Sequence, residues 1–411
     1  MTLKYVAVVE KGLYVAYTSL TLLAVVPIYF GSFASLKRWK NPKETRTTVK
    51  RQIDGTDESE EDLPSELVSL RDACTLPVLG SVALYGLYLA CTQCNKTYVN
   101  YVLTAYFGTM GALVTTQAGV STLTAIIGLL GIKIDDWHIN LIRKSQDFYS
   151  ARFTIVHLFM LAGSILLSGY YVATKDWVAS NIFAINFALN AIQVFSLESF
   201  KTGLILLSGL SACDVLWSYN PEIMAIVTKN LDVPVKIVFP QLLFGLPAGQ
   251  AFKFASIGLG DIVIPGLFAA LCLRFDQHRA GSKNPELGQS TQFRKPYFTG
   301  CIVAYILGLG SMFFINHVTM STLPALLYLG PACVFSMVLA AAVRGETEEV
   351  FKYISEEGRA ANRKKNEPME RKRKQQAQAM TSRDTPRVSR LPNVIKEELF
   401  VPATSTILVC R

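Results

Sequence analysis

The chain has 411 residues, 51% of them hydrophobic and only 17% charged, with a mean hydropathy of +0.31. That balance excludes an ordinary soluble domain and points to a protein that crosses a membrane many times. The formal net charge of +9 does not call for a nucleic-acid partner, because most of the excess lies in the C-terminal tail and beside apolar runs.

The first apolar run spans residues 13–36 and is followed by Lys37, Arg38 and Lys40. It is long for the core of a cleavable leader, so a retained span with a cytosolic C-terminal end is expected. Residues 37–73 read as a mixed-charge cytosolic loop, and its acidic cluster at 57–62 as a solvated face. A second span is expected over 76–90. The Cys91-Thr92-Gln93-Cys94 that follows has no second CxxC to complete a zinc site and reads as helix-end thiols. The eight cysteines are scattered, several within apolar runs, and form no disulfide framework. Asn95-Lys96-Thr97 matches a glycosylation acceptor but lies hard against two spans, and is expected to stay unmodified.

Residues 97–132 carry no charge, a run longer than one crossing needs. It softens at Thr115-Thr116-Gln117, so its second half tilts, lies in the interface or crosses again. Residues 133–152 read as a polar loop, with Asp135 and Asp136 pointing apart as loop charges. Spans are expected at 153–174, 178–197, 202–219, 254–273, 297–315 and 322–343. Counting 97–132 once gives nine, and the Lys/Arg clusters then fall to one side in loops 37–73, 133–152, 274–296 and the tail. That places the N-terminus on the exoplasmic side. Beyond residue 345 the basic chain 346–411 reads as a disordered cytosolic tail near anionic headgroups. The expected divisions are the first span (1–36), the loop (37–73), spans two to five (74–200), a catalytic block of four spans (201–345) and the tail.

Two charges stand out. Asp214 is alone in the apolar run between Lys201 and Glu222, and Asp261 is alone between Lys253 and Arg274. An acid inside a bilayer costs several kcal/mol or is protonated, so each is a functional candidate by default. Asp214 lies 13 residues after Lys201 and 8 before Glu222, and Asp261 lies 8 after Lys253 and 13 before Arg274. On antiparallel helices the two therefore share a depth, ~20 Å from one charged boundary and ~12 Å from the other. Carboxyls that meet share a proton, so one can act as general base toward water and the other as general acid toward a carbonyl. Gly258 and Gly260 beside Asp261 would let the helix backbone come close to a substrate or to a neighbouring helix, the second being ordinary small-residue packing. The connector segment 233–239, β-branched and alternating, reads either as an edge offering hydrogen bonds to an unwound substrate or as a loop packed over the bundle. There is no HExxH, and the four histidines have no metal-ligand spacing, so no metal and no cofactor is expected. A GxSxG elbow is also missing. A proton-coupled transporter would also place acids at midplane, and a silent chaperone of membrane segments is a third reading.

Several stretches together resemble the signal peptide peptidase family, the GxGD intramembrane aspartyl proteases related to presenilin. They are Lys236-Ile237-Val238-Phe239-Pro240-Gln241, the run from Gly258 to Gly266, Leu273-Arg274-Phe275-Asp276 and Pro324-Ala325-Leu326-Leu327-Tyr328-Leu329. The resemblance covers about residues 13–345. It implies an all-α polytopic fold of nine transmembrane helices, a lumenal N-terminus and residence in the endoplasmic reticulum. It also implies cleavage of leftover signal peptides and type II membrane segments within the lipid bilayer. By that match Asp214 and Asp261 are the catalytic pair, and Leu323, Pro324, Ala325 and Leu326 line the substrate site. The family usually has Tyr where Cys213 stands and Gln where Leu323 stands. The chain ends Ile-Leu-Val-Cys-Arg without a terminal dilysine, which keeps Golgi and vacuolar membranes open as alternatives. Whether it forms a homo-oligomer is left open.

Overall fold

The computed structural model describes residues 2–36, 66–129, 136–143, 146–220, 222–223, 226, 234–241, 254–284, 293–319 and 324–363. The chain up to Ala360 forms one compact unit. Among the described residues there are nine long helices: α1 (Thr2–Ala34), α2 (Leu70–Gln93), α3 (Lys96–Leu129), α4 (Ile155–Thr174), α5 (Trp177–Val194), α6 (Phe200–Ser218), α7 (Gly260–Lys283), α8 (Pro296–Thr319) and α9 (Leu326–Arg344). All except α3 and α7 are long and apolar enough to cross a membrane by length and composition. The protein is a polytopic helical membrane protein, as its composition requires.

Helix α7 is the centre of the bundle. It packs against α1, α5, α6, α8 and α9, and it is buried almost without a break from Pro265 to Asp276. This interior stretch carries two charged residues, Arg274 and Asp276, 7% and 2% exposed. The Asp276 carboxylate accepts the Phe298 N–H at 3.0 Å and so satisfies an orphan amide at the start of α8. On the outside, α2 packs on α6, and α3 packs on α4 and α5.

Helix ends follow local chemistry. Ser69 and Asp72 form a capping box that starts α2 six residues before the expected span. The Asn95 side chain accepts the Thr97 N–H at 3.0 Å and caps α3, which is an unbroken helix of 34 residues. At 1.5 Å per residue it is ~50 Å long, well beyond the ~30 Å of a hydrocarbon core. The soft stretch at Thr115-Thr116-Gln117 does not interrupt it.

Six short strands accompany the helices. β1 (Glu66–Val68) pairs in parallel with β4 (Phe195–Leu197), so the fifth span stops at Val194. β2 (Asp136–Arg143) and β3 (Gln146–Thr154) form an antiparallel hairpin where the sequence suggests a polar loop; strand pairing satisfies a backbone that charge content alone cannot position. The fourth helix correspondingly begins at Ile155 rather than 153. β5 (Lys236–Pro240) pairs antiparallel with β6 (Phe254–Gly258). That pairing overturns the expected helix over 254–259: the seventh helix begins at Gly260. Phe254-Ala255-Ser256-Ile257 is apolar enough to continue either a helix or a strand, and pairing with β5 decides.

Beyond Arg344 the chain does not turn directly into a tail. Gly345, at φ 68°, ends α9 in the left-handed conformation that favours glycine, and α10 (Thr347–Lys352) follows. Tyr353 is buried against Phe200, Phe275 and His278, and burial pushes its phenol pKa upward. The acidic cluster at 57–62, Asp135 and the basic runs after residue 363 lie outside the described residues.

Candidate active site

Asp214 sits in the penultimate turn of α6 and Asp261 in the first turn of α7. Both are half-buried, and they are close enough to interact electrostatically. Each carboxylate also has a backbone partner. The Leu326 N–H reaches Asp214, and the Gly258 N–H reaches Asp261. Leu326 opens α9, where the first amides have no intrahelical acceptor, and a carboxylate there is favoured by both hydrogen bonding and the helix dipole.

Ser211, one turn before Asp214 on the same face of α6, donates to the Leu326 carbonyl at 3.1 Å. Ser211 and Asp214 thus hold the two ends of residue 326, carbonyl and amide. Gly330, one turn into α9, permits this approach: a Cβ there would lie 2.9 Å from the Ser211 Oγ.

Gly258 has an equally specific reason to lack a side chain. A Cβ at that position would lie 2.9 Å from Asp261 Oδ2. Gly260 differs, since a Cβ there would meet no atom within 4 Å. The two glycines of the motif therefore differ: Gly258 leaves room for the carboxylate, and Gly260 borders open space.

The β5–β6 hairpin lies immediately before the second acid. Asn181 on α5 donates to the Val238 carbonyl at 2.7 Å and accepts the Val238 N–H at 2.9 Å. Leu259 N–H bonds the Val235 carbonyl at 2.9 Å. In an antiparallel ladder, bonded and non-bonded pairs alternate. Val238 is thus a non-bonded position whose outward groups are capped by Asn181, and its partner Ser256 turns its own backbone groups away from β5. The capped edge is β5 and the other edge belongs to β6.

Pro324 and Ala325 are half-buried and lead into α9, and Leu326 is buried. Leu323 lies outside the described residues. Cys213 faces away from Asp261, with its Sγ 3.7 Å from the Pro77 carbonyl of α2. Asn181, Ser211 and Tyr305 (whose hydroxyl donates to the Asp261 carbonyl at 3.3 Å) are not among the residues the sequence singles out. Only Ser211 offered a signal, its three-residue spacing from an intramembrane acid.

Comparison with known proteins gives the family. The family model described as signal peptide peptidase matches residues 58–357. The chain is 34% identical over 351 residues to human signal peptide peptidase, covering 84% of each chain. It is also 34% identical over 349 residues to the mouse signal peptide peptidase, again with 84% of each covered. Intramembrane protease 2 of Caenorhabditis elegans is 37% identical over 206 residues, 49% of this chain and 43% of that one.

Proposed function

The chain belongs to the signal peptide peptidase family and is an intramembrane protease, and from that premise we propose that Asp214 and Asp261 together activate the attacking water. The observation that carries the proposal is the pairing itself, two membrane-depth carboxylates from adjacent helices close enough to interact, each facing a backbone amide. In a pair sharing one proton, the ionised member takes a proton from water as the oxygen attacks the scissile carbonyl. The protonated member donates to the carbonyl oxygen. Collapse of the tetrahedral adduct then breaks the C–N bond, with a proton delivered to the leaving nitrogen.

The substrate must expose its peptide carbonyl. A helix in lipid keeps its carbonyls in its own hydrogen bonds, and lipid supplies no substitute. The β6 edge at Ser256 offers backbone partners for an unwound segment two residues before Gly258, in the manner of strand addition. The open space over Gly260 admits that segment next to Asp261. Pro324, Ala325 and Leu326 lead into α9 beside Asp214, and together with Leu323 they are the residues we assign to the substrate.

The substrates we propose are remnant signal peptides and type II membrane segments, and the compartment is the endoplasmic reticulum membrane. The test is cleavage of a model signal peptide by the purified protein beside its Asp214→Asn and Asp261→Asn forms. Each substitution should abolish cleavage while the protein stays folded. Retained cleavage in either would overturn the two-acid mechanism.

A further inference from the structure

Pro265 breaks the hydrogen-bond ladder of α7 at the carbonyl that matters most. In an α-helix the carbonyl of residue 261 accepts from the amide of residue 265. Residue 265 is proline, inside α7, and proline has no N–H. The Asp261 carbonyl therefore loses its helical partner in the turn that carries the carboxyl group. A buried carbonyl without a donor is rare and costly.

The replacement donor comes from another helix. Tyr305 on α8 is 1% exposed, and its hydroxyl donates to the Asp261 carbonyl oxygen at 3.3 Å. The contact joins residues 44 apart in sequence. Tyr305 thus reaches Asp261 from the backbone side, while Gly258 lies against the carboxylate. One residue is approached at both of its polar ends, by a strand on one side and by α8 on the other.

We propose that Tyr305 is a positioning residue for the reaction, standing in for the amide that Pro265 lacks and fixing the peptide plane from which the Asp261 carboxyl projects. The proposal rests on the reading of Asp261 as one of the two reacting acids. Tyr305 is buried and bonds the backbone of Asp261, so its effect falls on the geometry of the acid and not on substrate binding. A misplacement of about 1 Å at a reacting group is enough to slow chemistry on the order of a hundredfold.

The experiment is a double-mutant cycle on the purified full-length protein with a model signal peptide. Tyr305→Phe should lower kcat on the order of tenfold and leave KM within about twofold. Pro265→Ala returns an N–H at residue 265, so in that background Tyr305→Phe should change kcat by no more than about twofold. An equal loss in both backgrounds, or an unchanged kcat in the single variant, overturns the assignment. If Pro265→Ala does not fold, hydrogen exchange decides. The amides of residues 262–264 should exchange faster in Tyr305→Phe than in the native chain, and equal rates overturn the proposal. Asp261→Asn separates the two levels. Cleavage by that variant would remove the two-acid reading, whereas an inactive Asp261→Asn with no coupling between Pro265 and Tyr305 removes only the role of Tyr305.

Discussion

Asn181 holds Val238 by both backbone groups at once, accepting from its N–H at 2.9 Å and donating to its carbonyl at 2.7 Å. A primary amide is the side chain that can do this, since it carries an acceptor and a donor on one plane. The contact ties the outer edge of β5 to α5, and it leaves β6 as the edge proposed above for the substrate.

Replacing Asn181 by Leu keeps the branched shape and removes both bonds. The Val238 groups then lose their partners, at a cost of about 1–3 kcal/mol. The melting temperature in detergent should fall, and cleavage should fall with it as β5 loses its anchor. Asn181→Asp, which can accept but not donate when ionised, should be impaired as well. An unchanged melting temperature in Asn181→Leu would show that the edge needs no anchor.

The two motif glycines should behave differently. Gly258→Ala places a methyl 2.9 Å from Asp261 Oδ2 and forces the carboxylate aside, so kcat should drop on the order of a hundredfold. Gly260→Ala meets no atom within 4 Å and should fold normally. Its methyl occupies the space over the acid, so KM should rise several-fold with a smaller change in kcat. Steady-state kinetics on the two variants, with melting temperatures, separates these outcomes.

Gly330→Ala tests the seating of α9. Its methyl would stand 2.9 Å from Ser211 Oγ, pushing α9 from α6 and drawing the Leu326 amide off Asp214. Overpacking of this kind costs about 1–3 kcal/mol. Ser211→Ala in the same chain removes the obstructing oxygen and should recover part of the lost activity. No recovery in the double variant would count against this packing account.

Tyr353 gives a pH dependence. Burial raises its phenol pKa above the ordinary value of 10.0, so the folded state holds the neutral form more strongly than the unfolded chain does. The stabilisation is complete below pH about 10 and is lost as pH rises through the ordinary value toward the raised one. Unfolding followed between pH about 9 and 11 should show a steeper loss in the native chain than in Tyr353→Phe.

Both acids were legible because a charge inside an apolar run is conspicuous whatever surrounds it. Of the spacing argument for a shared depth, the structure shows helix in one half of each run. Lys201 to Asp214 lies within α6, and Asp261 to Arg274 within α7, ~20 Å of helix in each case. The other halves of that count are not helix, because β6 precedes Gly260 and α6 ends at Ser218. Strand β6 was hidden because its apolar residues run into those of the helix, so no change of period marks the boundary. Asn181 and Tyr305 were hidden for another reason. Their partners are 57 and 44 residues away, and a neutral polar side chain in an apolar span does not announce which backbone it will meet. Pro265 was visible in the sequence, but the donor it calls for was not.

Glu198 binds two remote stretches of chain. Its N–H bonds the Val68 carbonyl at 3.2 Å, its carbonyl accepts the Ser355 N–H at 2.8 Å, and its carboxylate accepts the Leu70 N–H at 3.3 Å. Beside it Ser199 bridges to Ile354. The residues after the ninth helix are thus a closing seam, and they set where the protein can be shortened. A chain stopped at Arg344 would forfeit the Ser355 amide and uncover Phe200 and Phe275 where Tyr353 now lies. One stopped after Ala360 keeps the seam whole.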